Sequence, residues 1–262
     1  MRIARFTTGD GAAFGVVEGG PGEGETSVRR IDGHPFAPFQ VVEDPQPLSA
    51  LRLLAPVLPS KVVAVGRNYA DHIREMGGDV DLAEPPVVFL KPSTSVIGPG
   101  DPVQYPVGIS DDVHYEGELA IVIARLCREV PVDRVRDVVL GFTCANDVTA
   151  RDLQKTEKQW GRAKGFDTFC PLGPWVTTDL DPADLAVTTT VNGELRQAGR
   201  TSQLMRGVDE LVAHVSQAMT LLPGDVILTG TPAGVGPLVV GDEVSVTIEG
   251  IGTLTNTVVA RG

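Results

Sequence analysis

Two glutamates stand one residue apart at the start of an apolar run, where Glu116 and Glu118 flank Gly117 and precede LAIVIA. In an extended segment, residues two apart point to the same face, so the two carboxylates would converge. Their repulsion would raise one pKa or destabilise the strand unless a cation lay between them. A solvated strand edge is the plainer interpretation of such a pair. A position at the mouth of a buried strand favours a divalent metal ion.

A third carboxylate, Asp147, follows the apolar run VVLGFTCAN and precedes a predicted helix. Strand ends often display functional side chains. The alternative is that Asp147 caps the helix that begins near Thr149. Together with Glu116 and Glu118, Asp147 would complete an all-oxygen ligand set. Such a set suits Mg²⁺ or Mn²⁺, with water filling the remaining positions, and does not suit zinc or iron–sulfur chemistry.

His72 and Glu75 lie three residues apart in NYADHIREMGG, a predicted helix that the Gly77-Gly78 pair would end. Residues with this spacing share one face of a helix. A carboxylate beside an imidazole favours the protonated ring and raises its basicity, which suits a pair that activates water. The alternative is a surface histidine with an ordinary helical neighbour.

Lys164 lies in an aromatic segment, WGRAKGFDTFCPLGPW. It could reach the surface past its aromatic neighbours, or it could supply the cation that an anionic substrate needs. The loop Thr229-Gly230-Thr231-Pro232 follows a predicted strand. It could present backbone N–H groups to a carboxylate, or it could be a plain turn.

The overall charge disfavours two classes of partner. The chain has 262 residues with 34 Asp and Glu against 22 Lys and Arg, a formal net charge of −12. Such a surface repels nucleic acids and anionic membranes. The sequence begins without the apolar run of a signal peptide, and no window approaches the ~20 apolar residues of a membrane span. We therefore expect a cytoplasmic protein. Its three cysteines, widely spaced, are expected to be buried free thiols.

The first 58 residues are predicted to form a small β-rich domain. MRIARFTT and AAFGVVEG read as two strands separated by a Gly-Asp-Gly turn at residues 9–11. The segment SALRLLAPV near Leu51 looks like a short helix.

Residues 59–262 are predicted to form the larger, catalytic domain. It has several apolar runs with β-branched residues, a hairpin signal at Asn192-Gly193, and alternation at period two near the end. Helical patterns are confined to NYADHIREMGG, TARDLQ and VDELVAHVSQAMTLL. Because strands dominate and do not alternate regularly with helices, the sequence favours a β-rich α+β fold over a doubly wound one.

Seven ordered segments resemble the fumarylacetoacetate hydrolase family. They are VGRNYADHIREMG, VVFLKPSTSVIGPG, HYEGELAIVI, ANDVTARDLQ, AKGFDTFCPLGPW, VNGELRQ and GDVILTGTPAGVGP. The resemblance covers about Lys61 to the C-terminus and is greatest to the short members, the acylpyruvate hydrolase, oxaloacetate decarboxylase and hydroxymuconate isomerase group. It implies a mixed β-roll or sandwich domain with few helices, and a homodimer.

The resemblance also implies a role for each candidate residue. It assigns the metal ion to Glu116, Glu118 and Asp147. It makes His72 and Glu75 a catalytic dyad on a lid segment, and Lys164 the active-site lysine. The positions it places near the substrate are Arg151, Gln154 and Thr231, the last in a loop that binds the substrate carboxylate.

The reaction implied is cleavage of a carbon–carbon bond of a small anionic 2-oxo acid through a metal-stabilised enolate. Acylpyruvate hydrolysis and oxaloacetate decarboxylation are its two forms, and the intact pair of His72 and Glu75 favours them. One alternative is an isomerase or tautomerase of 2-hydroxyhepta-2,4-diene-1,7-dioate or hydroxymuconate in aromatic catabolism. An alternative of another class is a non-catalytic module that binds a metal or a ligand.

Overall fold

The computed structural model describes residues 1–9, 11–20, 26–81 and 83–262. In chain order its strands are β1 (Arg2–Thr8), β2 (Gly11–Glu18), β3 (Ser27–Asp32), β4 (Gln40–Val41), β5 (Gln46–Pro47), β6 (Leu53–Leu54), β7 (Val62–Gly66), β8 (Val87–Lys91), β9 (Val96–Ile97), β10 (Val103–Tyr105), β11 (Val113–Tyr115), β12 (Gly117–Ile123), β13 (Val139–Asn146), β14 (Thr149–Ala150), β15 (Cys170–Thr177), β16 (Ala186–Val191), β17 (Glu194–Arg200), β18 (Val226–Leu228), β19 (Gly236–Pro237), β20 (Glu243–Ile248) and β21 (Gly252–Ala260). The helices are α1 (Ala70–Glu75), α2 (Arg151–Thr156), α3 (Gly161–Lys164) and α4 (Val208–Ala218), with 3-10 turns at Leu48–Ala50, Ser93–Ser95, Val132–Asp137 and Thr201–Gln203. The prediction of a β-rich α+β fold with few helices is confirmed.

The largest sheet of the described chain has thirteen strands and joins the N-terminal strands to those of the larger, C-terminal part. Its continuous path runs β4-β3-β2-β1-β15-β13-β12-β18-β7-β8. Strand β1 pairs antiparallel with β15, with Arg2 opposite Thr177. The strands of residues 1–58 therefore extend the sheet that carries the predicted site. The boundary between residues 58 and 59 stays a prediction.

The structure confirms one prediction for the N-terminal strands and corrects another. Strands β1 and β2 form the predicted hairpin, with Thr8 opposite Gly11, and Asp10 of the predicted turn lies outside the described residues. The predicted helix near Leu51 is wrong. A 3-10 turn is followed by β6, which pairs Leu53 with Phe6 of β1. Few residues separate Pro47 from Pro56, too few for a stable helix, whereas the free edge of β1 satisfies their backbone groups.

The core is divided by strand β12, which is buried on both faces. On one face, Leu119 and Ile121 pack with α4 and with a five-stranded sheet of order β10-β21-β20-β16-β17. On the other face, Ala120 and Val122 pack with residues of β7, β15 and β18. Because side chains alternate along a strand, Glu118 shares the face of Ala120 and Val122. The sheet therefore carries this carboxylate at the end of a buried apolar face.

Local turn signals predicted several other features correctly. The Asn192-Gly193 turn joins β16 to β17 with both residues at positive φ, 53° and 78°. Gly77, with φ 75°, follows the end of α1.

Cys127, Cys144 and Cys170 are buried and free, as predicted. No helix in the part of the chain that the structure describes is long and apolar enough to cross a membrane.

Candidate active site

Backbone pairing brings the three predicted metal-binding carboxylates to one point. In the antiparallel pair of β12 and β13, Gly117 lies opposite Asn146, and the backbone N–H of Asp147 donates to the carbonyl of Glu116 at 2.8 Å. One carboxylate oxygen from each of Glu116, Glu118 and Asp147 lies within 4.8 Å of the others, and all three residues are buried. The glutamate pair is therefore not a solvated edge. Asp147 does not cap a helix, because α2 begins at Arg151 with Ala150 at its N-cap.

Two buried lysines bond to these carboxylates. The Lys164 ammonium donates to Glu116 Oε2 at 2.8 Å and to Asp147 Oδ2 at 2.6 Å. The Lys91 ammonium donates to Asp147 Oδ1 at 2.6 Å and to the carbonyl of Val148 at 3.2 Å. With only 2% of its surface exposed, Lys164 does not reach the solvent past its aromatic neighbours. Lys91 was not among the predicted site residues. Its position at the end of the apolar strand VVFLK could have indicated a functional role.

Arg151 supplies a third cation from the first turn of α2. Its guanidinium donates to Glu116 Oε1, and its second terminal nitrogen donates to Gln154 Oε1 at 2.8 Å. The predicted pair Arg151 and Gln154 thus lies together beside the carboxylate cluster. Three carboxylates and three cations balance formally in this cluster.

The electrostatic environment of the two glutamates differs. Burial would raise the pKa of Glu116, but Arg151 and Lys164 outweigh it and hold that pKa well below its usual range. Burial raises the pKa of Glu118 well above its usual range, and the charges of Asp147 and Glu116 raise it further. Glu118 accepts a hydrogen bond from the backbone N–H of Gly230 at 2.7 Å. The charges around Glu118 thus disfavour its ionised form. A hard divalent cation, bound by the all-oxygen donor set, would stabilise that form.

Helix α1 places the predicted dyad over this cluster. His72 Nδ1 lies 3.3 Å from Glu75 Oε2, and His72 is buried, so it is not a surface histidine. Both oxygens of Glu75 also accept the backbone N–H of Gly234, at 3.0 and 3.1 Å. His72 faces the cavity of the carboxylates, with Nδ1 turned towards Glu75.

The Thr229–Pro232 loop is bonded to the strand that carries the glutamates. The Thr231 hydroxyl donates to the carbonyl of Gly117 at 2.9 Å and accepts from Gln197 Nε2 at 2.7 Å. The other end of the Gln197 amide accepts the Gly117 N–H at 2.9 Å, and Nε2 also donates to the carbonyl of Pro232. Gln197 is completely buried and was missed, although it ends the recognised segment VNGELRQ.

One cavity of about 290 Å³ joins these groups. Its lining includes seven of the nine predicted site residues, namely His72, Glu116, Glu118, Arg151, Gln154, Lys164 and Thr231. The other two, Glu75 and Asp147, contact the lining residues His72 and Lys164. The lining also includes Arg67, Met76, Gly77, Gly78, Lys155, Trp160 and Gly230. Its volume lies just below the range of roughly 300–1,000 Å³ typical of drug-sized ligands. A small polar metabolite suits a cavity of this size with so many charged groups.

Two solved structures share the fold over their full lengths. The X-ray structure of 5-carboxymethyl-2-hydroxymuconate delta-isomerase from Mycobacterium smegmatis has a TM-score of 0.92 and 53% identity, covering 100% of both chains. The structure of maleylpyruvate hydrolase from Sphingobium sp. SYK-6, in complex with manganese(II) ion and pyruvate, has a TM-score of 0.81 and 33% identity, again covering 100% of both chains.

Sequence comparison agrees with these structures. Oxaloacetate tautomerase YisK of Bacillus subtilis (strain 168) is 43% identical over 221 residues, which are 80% of this chain and 73% of the relative. Residues 1–56 match the family described as Rv2993c-like, N-terminal. Residues 61–259 match the family described as Fumarylacetoacetate (FAA) hydrolase C-terminal. The chain is therefore an enzyme of the fumarylacetoacetate hydrolase family, as its seven ordered segments predicted.

Proposed function

We propose that this enzyme uses one divalent metal ion to act on a small 2-oxo acid through its enolate, and that it cleaves a carbon–carbon bond at C3. The observation that carries the proposal is the convergence of three buried carboxylate oxygens within 4.8 Å. Glu116, Glu118 and Asp147 would hold the ion, which is Mg²⁺ or Mn²⁺. The manganese(II) ion in the related maleylpyruvate hydrolase supports this assignment.

The charges around the site favour an anionic substrate. Without the ion, the three carboxylates are balanced by Lys91, Lys164 and Arg151. A divalent cation would leave the cluster with net positive charge in an otherwise acidic protein. When bound, such an ion supplies a Lewis acid that stabilises the negative charge of an enolate.

The chain's own residues supply the remaining chemistry. The Lys164 ammonium, buried between two carboxylates, adds a second fixed positive charge close to the reacting atoms. His72 turns Nδ1 towards Glu75, so its Nε2 is the nitrogen left to exchange a proton with a molecule in the cavity. In hydrolysis His72 would deprotonate water, and in decarboxylation it would guide or protonate the enolate.

A second candidate is tautomerisation or isomerisation of the same class of substrate. The similarity to the oxaloacetate tautomerase and to the hydroxymuconate isomerase supports it. Here His72 would move a proton between oxygen and carbon without breaking a carbon–carbon bond. A non-catalytic module is disfavoured because His72, Glu75 and Lys164 are all present and lie together.

The test is a panel of oxaloacetate and acylpyruvates with Mg²⁺, Mn²⁺ or EDTA, followed by enol absorbance and by mass spectrometry of the products. If the enzyme cleaves the substrate, the enol band should disappear and more pyruvate should form than in a control that contains the metal ion without the enzyme. Tautomerisation predicts faster loss of the enol band with no added fragmentation. Full turnover in EDTA, or unchanged turnover in Glu118→Gln, would contradict the metal-dependent proposal.

A further inference from the structure

Arg67 follows strand β7 directly and lines the same cavity as the carboxylate cluster. Its φ of 60° lies in the left-handed region, which residues with a Cβ rarely adopt. Such a conformation persists only where the surrounding structure enforces it, and it is found disproportionately at ligand sites. The position of Arg67 therefore calls for a functional explanation.

The other long cations of the cavity are already paired. Arg151 bonds to Glu116 and Gln154, Lys164 bonds to Glu116 and Asp147, and Lys155 lies 3.3 Å from Asp112. These pairs neutralise much of the positive charge that lines the cavity.

By contrast, the guanidinium of Arg67 makes no hydrogen bond or ion pair with any residue that the structure describes. Asp79, Asp81 and Glu84 line a second, small space together with Arg67 but form no ion pair with it. Arg67 is thus a cation at the cavity whose charge is available to a bound anion.

Gly78 lies next to this guanidinium. A Cβ added at Gly78 would lie 2.6 Å from Arg67 Nη2 and 3.1 Å from Ile73 Cγ2. The φ of Gly78 is not in the left-handed region, so its backbone conformation does not require glycine. The guanidinium of Arg67 therefore lies beside the residues that follow helix α1.

We propose that Arg67 binds a second carboxylate of the substrate, so that the enzyme selects 2-oxo acids with a carboxylate at each end. This inference rests on the proposed function, in which the 2-oxo carboxylate lies at the metal-binding end of the cavity. A guanidinium presents two parallel N–H donors to a carboxylate, which gives both charge and geometric fit. A methyl group at that end would leave the guanidinium without a partner.

The test uses two unreactive acids of equal length that differ only in that end group. Malate carries the second carboxylate, and 2-hydroxybutyrate carries a methyl group in its place. Their affinities for the Mn²⁺-loaded enzyme are measured by calorimetry in the wild type, Arg67→Met, Arg67→Lys and Arg128→Met. Met and Arg both carry a Cβ, so Arg67→Met leaves the backbone cost at φ 60° unchanged. Arg128, an exposed arginine paired with Glu129, is the control for loss of one positive charge.

We expect the wild type to bind malate at least about tenfold more tightly than 2-hydroxybutyrate. Arg67→Met should lose about that factor for malate and keep its affinity for 2-hydroxybutyrate. Arg67→Lys should lose part of it, and Arg128→Met should change neither. Equal affinities in the wild type, or an equal loss for both acids in Arg67→Met, would overturn the assignment.

Failure of this assignment can be told from failure of the proposed function. If the enzyme turns over 2-oxo acids but Arg67→Met weakens the binding of both ligands equally, only the assignment of Arg67 is wrong. If malate is preferred through Arg67 but no 2-oxo acid is turned over, the carboxylate site stands and the proposed reaction is wrong.

Discussion

The carboxylate of Glu75 accepts the backbone N–H of Gly234 with both of its oxygens, while Oε2 lies 3.3 Å from His72 Nδ1. The carbonyl of Gly234 in turn accepts the Tyr115 hydroxyl at 2.9 Å. One side chain therefore joins helix α1 to the loop that follows Pro232, and also contacts the histidine. Substitutions at Glu75 can separate these two contributions.

Glu75→Gln keeps an oxygen that can accept the Gly234 N–H but removes the negative charge beside His72. We expect kcat to fall by about 10²–10⁴, the usual contribution of a general acid–base group, with little change in Tm. Glu75→Ala should show the same fall together with a higher KM and faster proteolysis near residues 70–78, because helix α1 loses its hydrogen bond to Gly234. Wild-type kcat in Glu75→Gln would show that the charge is not needed.

Lys164 and a metal ion should stabilise the same carboxylates. Burial lowers the pKa of Lys164, but Asp147 and Glu116 outweigh it and raise the pKa above its usual value. Because removing one partner of a buried ionic cluster costs about 3–5 kcal/mol, Lys164→Met should lower the free energy of unfolding by about that amount in EDTA. Mn²⁺ should restore part of the loss.

Urea denaturation with EDTA and with Mn²⁺ measures both effects of Lys164→Met. The matched control is Lys158→Met, which removes an exposed lysine from the same region. Denaturation midpoints that do not respond to Mn²⁺ in either the wild type or Lys164→Met would argue against a metal site at these carboxylates.

Gln197 is expected to set metal affinity without touching the ion. Gln197→Leu would leave the buried N–H of Gly117 and the carbonyl of Pro232 without their side-chain partner, at about 1–3 kcal/mol each. Because Gly117 lies between two proposed ligands, we expect Mn²⁺ binding to weaken about 10–100-fold, as measured by calorimetry. Gln203→Leu, at an exposed glutamine, is the control. Unchanged Mn²⁺ affinity in a folded Gln197→Leu would exclude this supporting role.

Asp225 offers a prediction about pH that is independent of the site. Its buried carboxylate accepts hydrogen bonds from Lys61, Ser60 and Leu222. Burial would raise its pKa, but the bonds from Lys61 and Ser60 outweigh burial and lower it. The folded pKa is thus below the unfolded value of about 3.9. The stabilisation is present above that value and is lost as the pH falls through the folded pKa.

Asp225→Asn should therefore lower the free energy of unfolding by about 3–5 kcal/mol at pH 7. The difference from the wild type should shrink below about pH 4. Asp225 precedes β18 and Gly230 follows its other end, about 16 Å along the strand at 3.3 Å per residue. Turnover by the folded variant should for this reason match the wild type. Parallel stability profiles from pH 7 to pH 2 would contradict the account.

The sequence predicted those features that depend on neighbours along the chain. The apolar run of β12, the Asn192-Gly193 hairpin and the three-residue spacing of His72 and Glu75 are local patterns, and all are found in the structure. Lys91 and Gln197 were missed because their partners lie 56 residues away at Asp147 and 80 residues away at Gly117. Only the folded sheet brings such residues together. The segment near Leu51 was misjudged because its spacing is helical, whereas the edge of β1 decides its conformation.

The pairing of β1 with β15 also bears on the protein's behaviour in solution. Strand β15 lies beside β13, the strand that leads to Asp147, and Arg2 of β1 stacks its guanidinium 5.6 Å from the centre of the Trp175 ring on β15. A chain shortened by residues 1–56 would expose unpaired backbone groups along that edge. Exposed edges of this kind invite strand exchange between molecules and aggregation. The N-terminal strands thus cover a sheet edge that would otherwise favour strand exchange, next to the strands that lead to Glu118 and Asp147.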